Sequence, residues 1–307
     1  MNNLILADEK ARKGKKRSVG VHIHDKNRDE NIRKLHEQLK NKMYHTSPYN
    51  IFEAECNGKL RTIYRLPYYP DRICHHAVMN VMEPIWMKIF TSDTYSCIKG
   101  RGIHAAVKKL KRDMKDVGGT KYCLKCDIKK YYPSINHGIL KSILRKRIKD
   151  IDLLWLLDEI IDSAPGVPIG NYLSQFFANL YLAYFDHWVK EELHIKYYYR
   201  YCDDIVMLHS DKSFLHNIKD KITIYLEKRL LLQVKDNYQV FPVSSRGIDF
   251  LGYVFYHTHV RLRKSIKKRF VKKIKGSIKL VEQPFYASYK GWIDHCDGRN
   301  LMKKLSA

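Results

Sequence analysis

The chain has 307 residues and is 45% hydrophobic, enough to bury a sizeable core and hard to reconcile with wholesale disorder. It carries 57 Lys and Arg against 32 Asp and Glu, a net charge of +25, and 22 tyrosines; this points to a polyanionic partner, with rings available to stack on unpaired bases. An uncharged apolar run of about 18 residues, as a membrane span needs, does not occur, the charge order of MNNLILADEKARKGKK is wrong for a secretory signal, and seven irregularly spaced cysteines suit reduced thiols in a cytoplasm.

Residues 1–25 read as a polar, basic N-terminal arm, mobile over its first twenty positions. Residues 26–48 have helical spacing through Ile32, Leu35 and Leu39. Residues 50–66 read as two strands around Cys56-Asn57-Gly58-Lys59, since Asn-Gly is a strong hairpin signal. A helix over 71–90 follows, with Asp71 as its N-cap and an interruption near Pro84. A Gly-flanked loop, Ile98 to Gly102, runs into a helix over 103–115.

From 121 the pattern alternates. Tyr122, Leu124, Cys126 and Ile128 take one side of a strand, and Cys123, Lys125 and Asp127 the other. Helices are expected over 137–149 and 152–163, and after Pro165-Gly166 a long one over 171–192. YYYRYCDDIVMLHS reads as strand, tight turn, strand; an amphipathic helix covers 212–231, and two or three strands reach 259. In the tail, Leu262, Ile266, Phe270 and Ile274 form one apolar stripe on a helix otherwise filled with Arg and Lys.

The carboxylates carry the chemistry. Asp127 ends one apolar strand, and Asp203 and Asp204 sit at the turn between two others. Two desolvated carboxylates repel and cost several kcal/mol each unless a cation compensates. The plain alternative is an Asp-Asp hairpin turn, a common use of Asp; a third aspartate on a neighbouring strand weighs against it. Attack of a 3′-hydroxyl on an α-phosphate uses two divalent ions about 4 Å apart. Mg²⁺ takes oxygen ligands from one or two carboxylates plus substrate phosphates, and strands make rigid platforms for them. Cys123 and Cys126 lack a second pair for zinc and read as strand packing. His22/His24, His75/His76 and His257/His259 read as surface or helix-cap residues, and Trp86, Trp155, Trp188 and Trp292 as core.

Tyr201-Cys202-Asp203-Asp204 resembles the Tyr-x-Asp-Asp box of reverse transcriptases, and CDIKKYYPSI resembles the Asp-containing motif that precedes it. FLGY, Phe250 to Tyr253, is similar to the family's primer-grip turn. The resemblance runs from about residue 25 to 300 with the motifs in order. It implies an α+β right-hand polymerase fold: fingers with the first palm elements over 26–120, a palm of antiparallel sheet and helices over 121–258 with a fingers insertion near 137–170, and a helical basic thumb over 259–307. It implies RNA-directed DNA polymerase activity with a two-ion Mg²⁺ site, Mn²⁺ able to substitute, on Asp127, Asp203, Asp204 and the backbone carbonyl of Ile128.

The same resemblance makes Tyr132 the steric gate against a 2′-hydroxyl. It assigns Lys59, Arg61 and Arg65 of the first hairpin, with Ile169, Gly170 and Lys235, to the incoming dNTP, Lys235 as general acid. Arg101, Ser174, Gln175, Leu251 and Gly252 are assigned to template and primer.

Within the family the stretch Val167 to Gln175 departs from the usual Gln-Gly-x-x-x-Ser-Pro: Ile169 stands for the Gln and Gln175 for the Pro. This variant, the KGRG loop and the tail SYKGWIDHC resemble the reverse transcriptases of diversity-generating retroelements. Ile169 cannot make the hydrogen bond that Gln would, and discrimination by buried polar groups is worth more than discrimination by shape, so a low-fidelity enzyme is expected. The subgroup implies errors opposite template adenine, a structured template RNA, an RNA–DNA hybrid, a small basic oligomeric accessory variability protein, and a cytoplasmic setting in a bacterium or phage-infected host. The chain's size leaves no room for RNase H, maturase or endonuclease domains after the thumb, again as an expectation. Retron, group II intron-like and phage-defence enzymes, a palm-fold nucleotide cyclase and a non-catalytic RNA-binding scaffold are the rival readings.

Overall fold

The computed structural model describes residues 1–56, 58–274, 284–298 and 300. Asn57, at the tip of the expected hairpin, and the side chain of Ile274 lie outside what is described. The chain forms two compact units interleaved in sequence: Met1–Thr91 with Lys129–His187 and Tyr225–Gln233, and Ser92–Ile128 with Trp188–Ile224 and Val234–Ala307.

The first unit corrects the reading of the N-terminus. Residues read as a mobile arm form helices Asn2–Ala11 and Val19–Asp25. Leu4, Ala7, Asp8 and Ala11 repeat at helical spacing and are buried; the surrounding lysines hide that stripe from a reading by charge. Asp8 is fully buried. Burial pushes its carboxyl up, but Tyr68, Arg28 and Arg12 outweigh that and hold it below the usual range. Tyr68 Oη donates to it at 2.6 Å, Arg28 Nε at 2.6 Å and Arg12 Nη2 at 2.7 Å.

Helix Arg28–Lys40 follows, then β1 (Asn50–Cys56) and β2 (Lys59–Arg65), antiparallel from Asn50 opposite Arg65 to Cys56 opposite Lys59. Asp71 is no N-cap. It sits in a wide turn, Tyr68–Arg72, and its Oδ1 accepts from Tyr44 Oη at 2.8 Å and the Ser47 amide at 3.0 Å. Helix Ile73–Met87 runs through Pro84 without a break. His75 and His76 lie on it, 1% and 7% exposed, so they are not surface residues, and neither is His24 at 1%. Helices His137–Arg145 and Ile151–Asp162 begin where Asn136 and Asp150 accept from the amides of Ile139 and Leu153, at 3.0 and 2.8 Å, as N-caps should. The long helix expected over 171–192 is segmented into Ser174–Tyr181, Ala183–His187 and a wide turn Trp188–Glu192.

The second unit holds β3 (Thr94–Tyr95), β4 (Tyr122–Asp127), β5 (Tyr197–Tyr201), β6 (Asp204–His209), β7 (Gln239–Pro242), β8 (Ile248–Phe250), β9 (Tyr253–Phe255) and β10 (Val260–Leu262). One sheet has the order β3-β5-β6-β4-β7, with β4 antiparallel to both β6 and β7; the other has the order β10-β9-β8. Strand β4 lies inside the sheet between β6 and β7 with both of its faces covered, so Cys123 and Leu124 are both fully buried although they face opposite sides. Helix Ile103–Asp113 lays Ala106, Val107 and Leu110 into a core with Tyr199, Val206, Phe250, Phe255 and Ile266. Leu262 belongs to β10, not to the tail helix, which begins at Lys264; Ile266 and Phe270 are its buried stripe.

Candidate active site

The carboxylates sit where strand pairing puts them. Strands β4 and β6 pair so that Asp127 lies directly opposite Asp204, and β5 and β6 pair so that Tyr201 lies opposite Asp204, leaving Cys202 and Asp203 as the turn. Cys202 carries the turn's left-handed backbone, φ +54°. The Ile128 amide donates to the Asp203 carbonyl at 3.3 Å, tying the end of β4 to the turn.

Asp204 is strained electrostatically. Its side chain keeps 24% of its exposure through Oδ2, 3.6 Å from Lys125 Nζ, while Oδ1 is buried without a hydrogen-bond partner. Burial, partly offset by Lys125 and reinforced by Asp127 and Asp203, pushes its carboxyl up to about 7. Lys235 stands beside Asp127: its amide donates to the Asp127 carbonyl at 2.8 Å and its Nζ lies 3.9 Å from Oδ1. Among the described residues no three His, Cys, Asp or Glu side chains close around a metal position. The donor set is nonetheless oxygen-only, on two paired strands and their turn, and includes a buried oxygen lacking a partner. Such a set fits a hard divalent ion whose remaining ligands come from substrate phosphates.

Two residues behind this edge were not singled out from the sequence. Arg200, fully buried on β5, donates from Nη1 to the Cys202 carbonyl at 3.0 Å, and its amide donates to the Asp93 carbonyl at 3.0 Å. An arginine inside an aromatic strand, two residues before an acidic turn, was the available signal. Lys125 reaches Asp204 and also donates to the Asp249 carbonyl. Leu251 and Gly252 form the β8–β9 turn, with φ +52° and +86°. A Cβ at Gly252 would stand 2.6 Å from Trp292, and its carbonyl accepts from Arg263 at 2.8 Å. Arg101 lies in a turn, its amide donating to Ile98 at 3.0 Å; burial lowers its guanidinium pKa.

The first unit carries a separate cavity of about 260 Å³ lined by Arg61, Arg72, Tyr132, Ile169, Gly170, Asn171, Tyr172, Ser174 and Gln175. The structure therefore brings together Arg61, Tyr132, Ile169, Gly170, Ser174 and Gln175. Arg65 and Lys59 are outside its wall. The loop is pinned through its backbone: the Ile169 carbonyl accepts from the Tyr64 amide at 2.8 Å. Gly170, at φ +116°, lies so close to β2 that a Cβ would meet the Tyr64 carbonyl oxygen at 2.5 Å. Ser174 is buried and donates to the Pro168 carbonyl at 2.6 Å, so its hydroxyl closes the loop, while Gln175 is exposed. Arg72 and Tyr172, stacked on His76 at 4.0 Å between ring centres, were not expected here.

Comparison with known proteins agrees with this geometry. The family model described as reverse transcriptase (RNA-dependent DNA polymerase) matches residues 40–255. Protein YkfC of Escherichia coli K12 is 25% identical over 66% of this chain and 65% of its own length. The group II intron-encoded protein LtrA of Lactococcus lactis is 22% identical over 82% of this chain and 54% of its own. The chain thus spans about half to two thirds of these relatives. Apo telomerase from Candida tropicalis, truncated from its C-terminal domain, superposes with a TM-score of 0.55 at 15% identity, covering 74% of this chain and 58% of that one; this places the fold among right-hand polymerases. No helix among the described residues is long and apolar enough to cross a membrane. With the family model covering more than two thirds of the chain and the acidic strand ends paired as that chemistry requires, this protein belongs to the reverse transcriptase family.

Proposed function

We propose that the chain is an RNA-directed DNA polymerase in which Asp127, Asp203 and Asp204, with the Ile128 carbonyl, hold Mg²⁺. The observation that carries the proposal is the pairing of Asp127 with Asp204 across β4 and β6, with Asp203 in the turn. Bound Mg²⁺ would supply Lewis acidity to the attacking 3′-hydroxyl and the departing pyrophosphate. The protein's own part is to hold the carboxylates rigid: Arg200 fixes the turn, and Lys125 balances Asp204 when it is ionised. Lys235 beside Asp127 is the candidate proton donor to the leaving group. Arg61 clamps phosphate oxygens, and Tyr132 packs beneath the sugar. On this reading the fingers span 26–120 with an insertion near 137–170, the palm 121–258 and the thumb 259–307, and the basic tail helix tracks the duplex backbone. The partners are a structured template RNA, its hybrid with DNA, and dNTPs.

Within the family we favour the mutagenic enzyme of a diversity-generating retroelement, working with a small basic accessory protein. Its support is Ile169 on the wall of the Arg61–Tyr132 cavity, where an apolar side chain offers no hydrogen bond with which to check the base pair. A group II intron-like role is the second reading, favoured by the 82% of this chain that aligns with LtrA. Primer extension on an RNA template, followed by sequencing of the cDNA, tests both. Metal-dependent cDNA with errors concentrated opposite adenine is the expected result. Evenly spread errors would shift the reading to the intron-like or defence enzymes, and absence of cDNA even with cognate RNA and accessory protein would defeat the polymerase reading.

A further inference from the structure

The two arginines of β2 expected to share one triphosphate face different cavities. Arg61 lines the one with Tyr132 and Ile169, whereas Arg65 lines a second, of about 330 Å³, together with Lys15, Arg72, His75, Asn171 and Tyr172. No carboxylate lines this second cavity, and Lys15, Arg65 and Arg72 have no ion pair among the described residues. Lys15 feels the other two: Arg72, then burial, then Arg65 lower its pKa. Arg72 is half-buried, with a long hydrogen bond from Nε to the Ala11 carbonyl at 3.4 Å and its guanidinium 5.8 Å from the Tyr172 ring centre. Lys15 and Arg65 reach solvent, so the cost of burying an uncompensated charge falls on Arg72.

Two neutral groups on the same wall point to what offsets it. His75 is 1% exposed and its Nε2 has no hydrogen-bond partner; Asn171 is 7% exposed and its Oδ1 has none. Burial, with His76 and Arg72 nearby, holds His75 uncharged. A neutral imidazole can donate to a phosphate oxygen or accept from a hydroxyl, and an amide oxygen accepts from a hydroxyl. At about 30 Å³ per water, the cavity has room for a phosphate and part of its sugar.

We propose that Lys15, Arg65, Arg72 and His75 form a second phosphate site, adjoining the Arg61–Tyr132 cavity across the wall of Arg72, Gly170, Asn171 and Tyr172 that the two share, that holds a nucleotide phosphate while Asn171 accepts from the adjoining sugar hydroxyl. Three cations and a neutral donor match a phosphate's charge and acceptor oxygens, and the orphaned Asn171 oxygen matches the hydroxyl. The phosphate comes either from the backbone of an RNA strand or from a free nucleoside triphosphate. The site does not depend on the polymerase reading, because a phosphate probe binds it whether or not the chain makes cDNA.

The test is calorimetric titration of inorganic pyrophosphate into the full chain with chelator present, comparing wild type, Lys15→Glu and Lys13→Glu. Both positions are exposed and the two variants change net charge equally, but Lys13 is not on the cavity wall. Lys15→Glu should weaken binding about tenfold with Lys13→Glu close to wild type; Lys15→Met, with thermal melting unchanged, guards against a folding artefact. Equal weakening in the two Glu variants, or no binding at all, would overturn the site. Competition then identifies the source: displacement of the Lys15-sensitive pyrophosphate by a short RNA marks a backbone phosphate, and displacement by dATP alone marks a free nucleotide. Failure of both to displace it would also overturn the proposal.

Discussion

The acidic turn and the 165–175 loop both hold functional groups still, but by opposite means. The turn between β5 and β6 is braced from behind: Tyr198, Tyr199, Ile205 and Val206 are all fully buried, and Arg200 grips its backbone. Side-chain burial and strand register fix it, and a one-residue slip would turn every aspartate to the wrong face. The loop, by contrast, is held through backbone contact, with Ile169 bonded to Tyr64 and Gly170 pressed onto the Tyr64 carbonyl. The first region is fixed by the packing of its side chains, the second by the close approach of its backbone to β2. Charge repulsion can be stored in the turn because the sheet overdetermines its geometry.

That contrast is broken most forcefully at Asp204. Asp204→Asn removes a charge from an oxygen buried without a partner, so metal-free thermal stability should rise by about 1–2 kcal/mol, while cDNA synthesis should fall by roughly 10³-fold. Melting curves and primer extension on the same preparations check this; a loss of both stability and activity would mean the carboxylate is well compensated in the free protein.

Acid should discriminate the units next. His24, His75 and His76 are buried in the first unit, and burial is the main cause of their lowered pKa values, to about 3 for His75 and about 4 for His76. Their folded values lie below the unfolded value of 6.5, so the unfolded chain binds more protons at low pH. Their contribution to stability is complete above pH 6.5 and is lost progressively as the pH falls toward 4 and below. Denaturant melts between pH 8 and 4, read by hydrogen exchange along the chain, should show the helix Ile73–Met87 losing protection before β4–β6.

A smaller effect is expected at Gly170. Gly170→Ala puts a Cβ 2.5 Å from the Tyr64 oxygen at φ +116° and should cost about 1–3 kcal/mol, with the nucleotide KM rising more than kcat falls. Gly14, also at positive φ but in open space, serves as the control, and Gly14→Ala should lose far less. Smallest in free energy is Ile169→Gln. It should lower misincorporation opposite adenine by about tenfold, the worth of about one hydrogen bond, and flat adenine error rates would remove Ile169 from the account of fidelity.

The sequence was most legible where chemistry and periodicity coincide. A period of two with aspartates at strand ends located Asp127, Asp203 and Asp204, and tertiary pairing then had to place Asp127 opposite Asp204, which no local pattern states. Ile169 and Gly170 could be named from the departure in their motif, but the close approach to Tyr64 is a long-range contact. The N-terminal helices escaped because Leu4, Ala7 and Ala11 are a thin apolar stripe among charges, and Asp8 looked like one more surface carboxylate until Arg12, Arg28 and Tyr68 were seen around it. The sequence suggests surface or helix-cap positions for His75 and His76 because a histidine pair has no periodic signature; they lie in the first turn of Ile73–Met87 but are buried. The separation of Arg61 from Arg65 depends on where Lys15 and Arg72 come to lie, which spacing along one strand cannot supply.

The most direct test of the central claim is RNA-templated primer extension by Asp127→Ala and Asp203→Ala/Asp204→Ala beside wild type, each shown by melting to be folded, with Mg²⁺ or Mn²⁺ added or chelated. Metal-dependent cDNA from wild type alone is the predicted result, because the proposed function needs all three aspartates to hold the ions. Undiminished cDNA from either folded variant would contradict it and move the chemistry away from the β4–β6 edge.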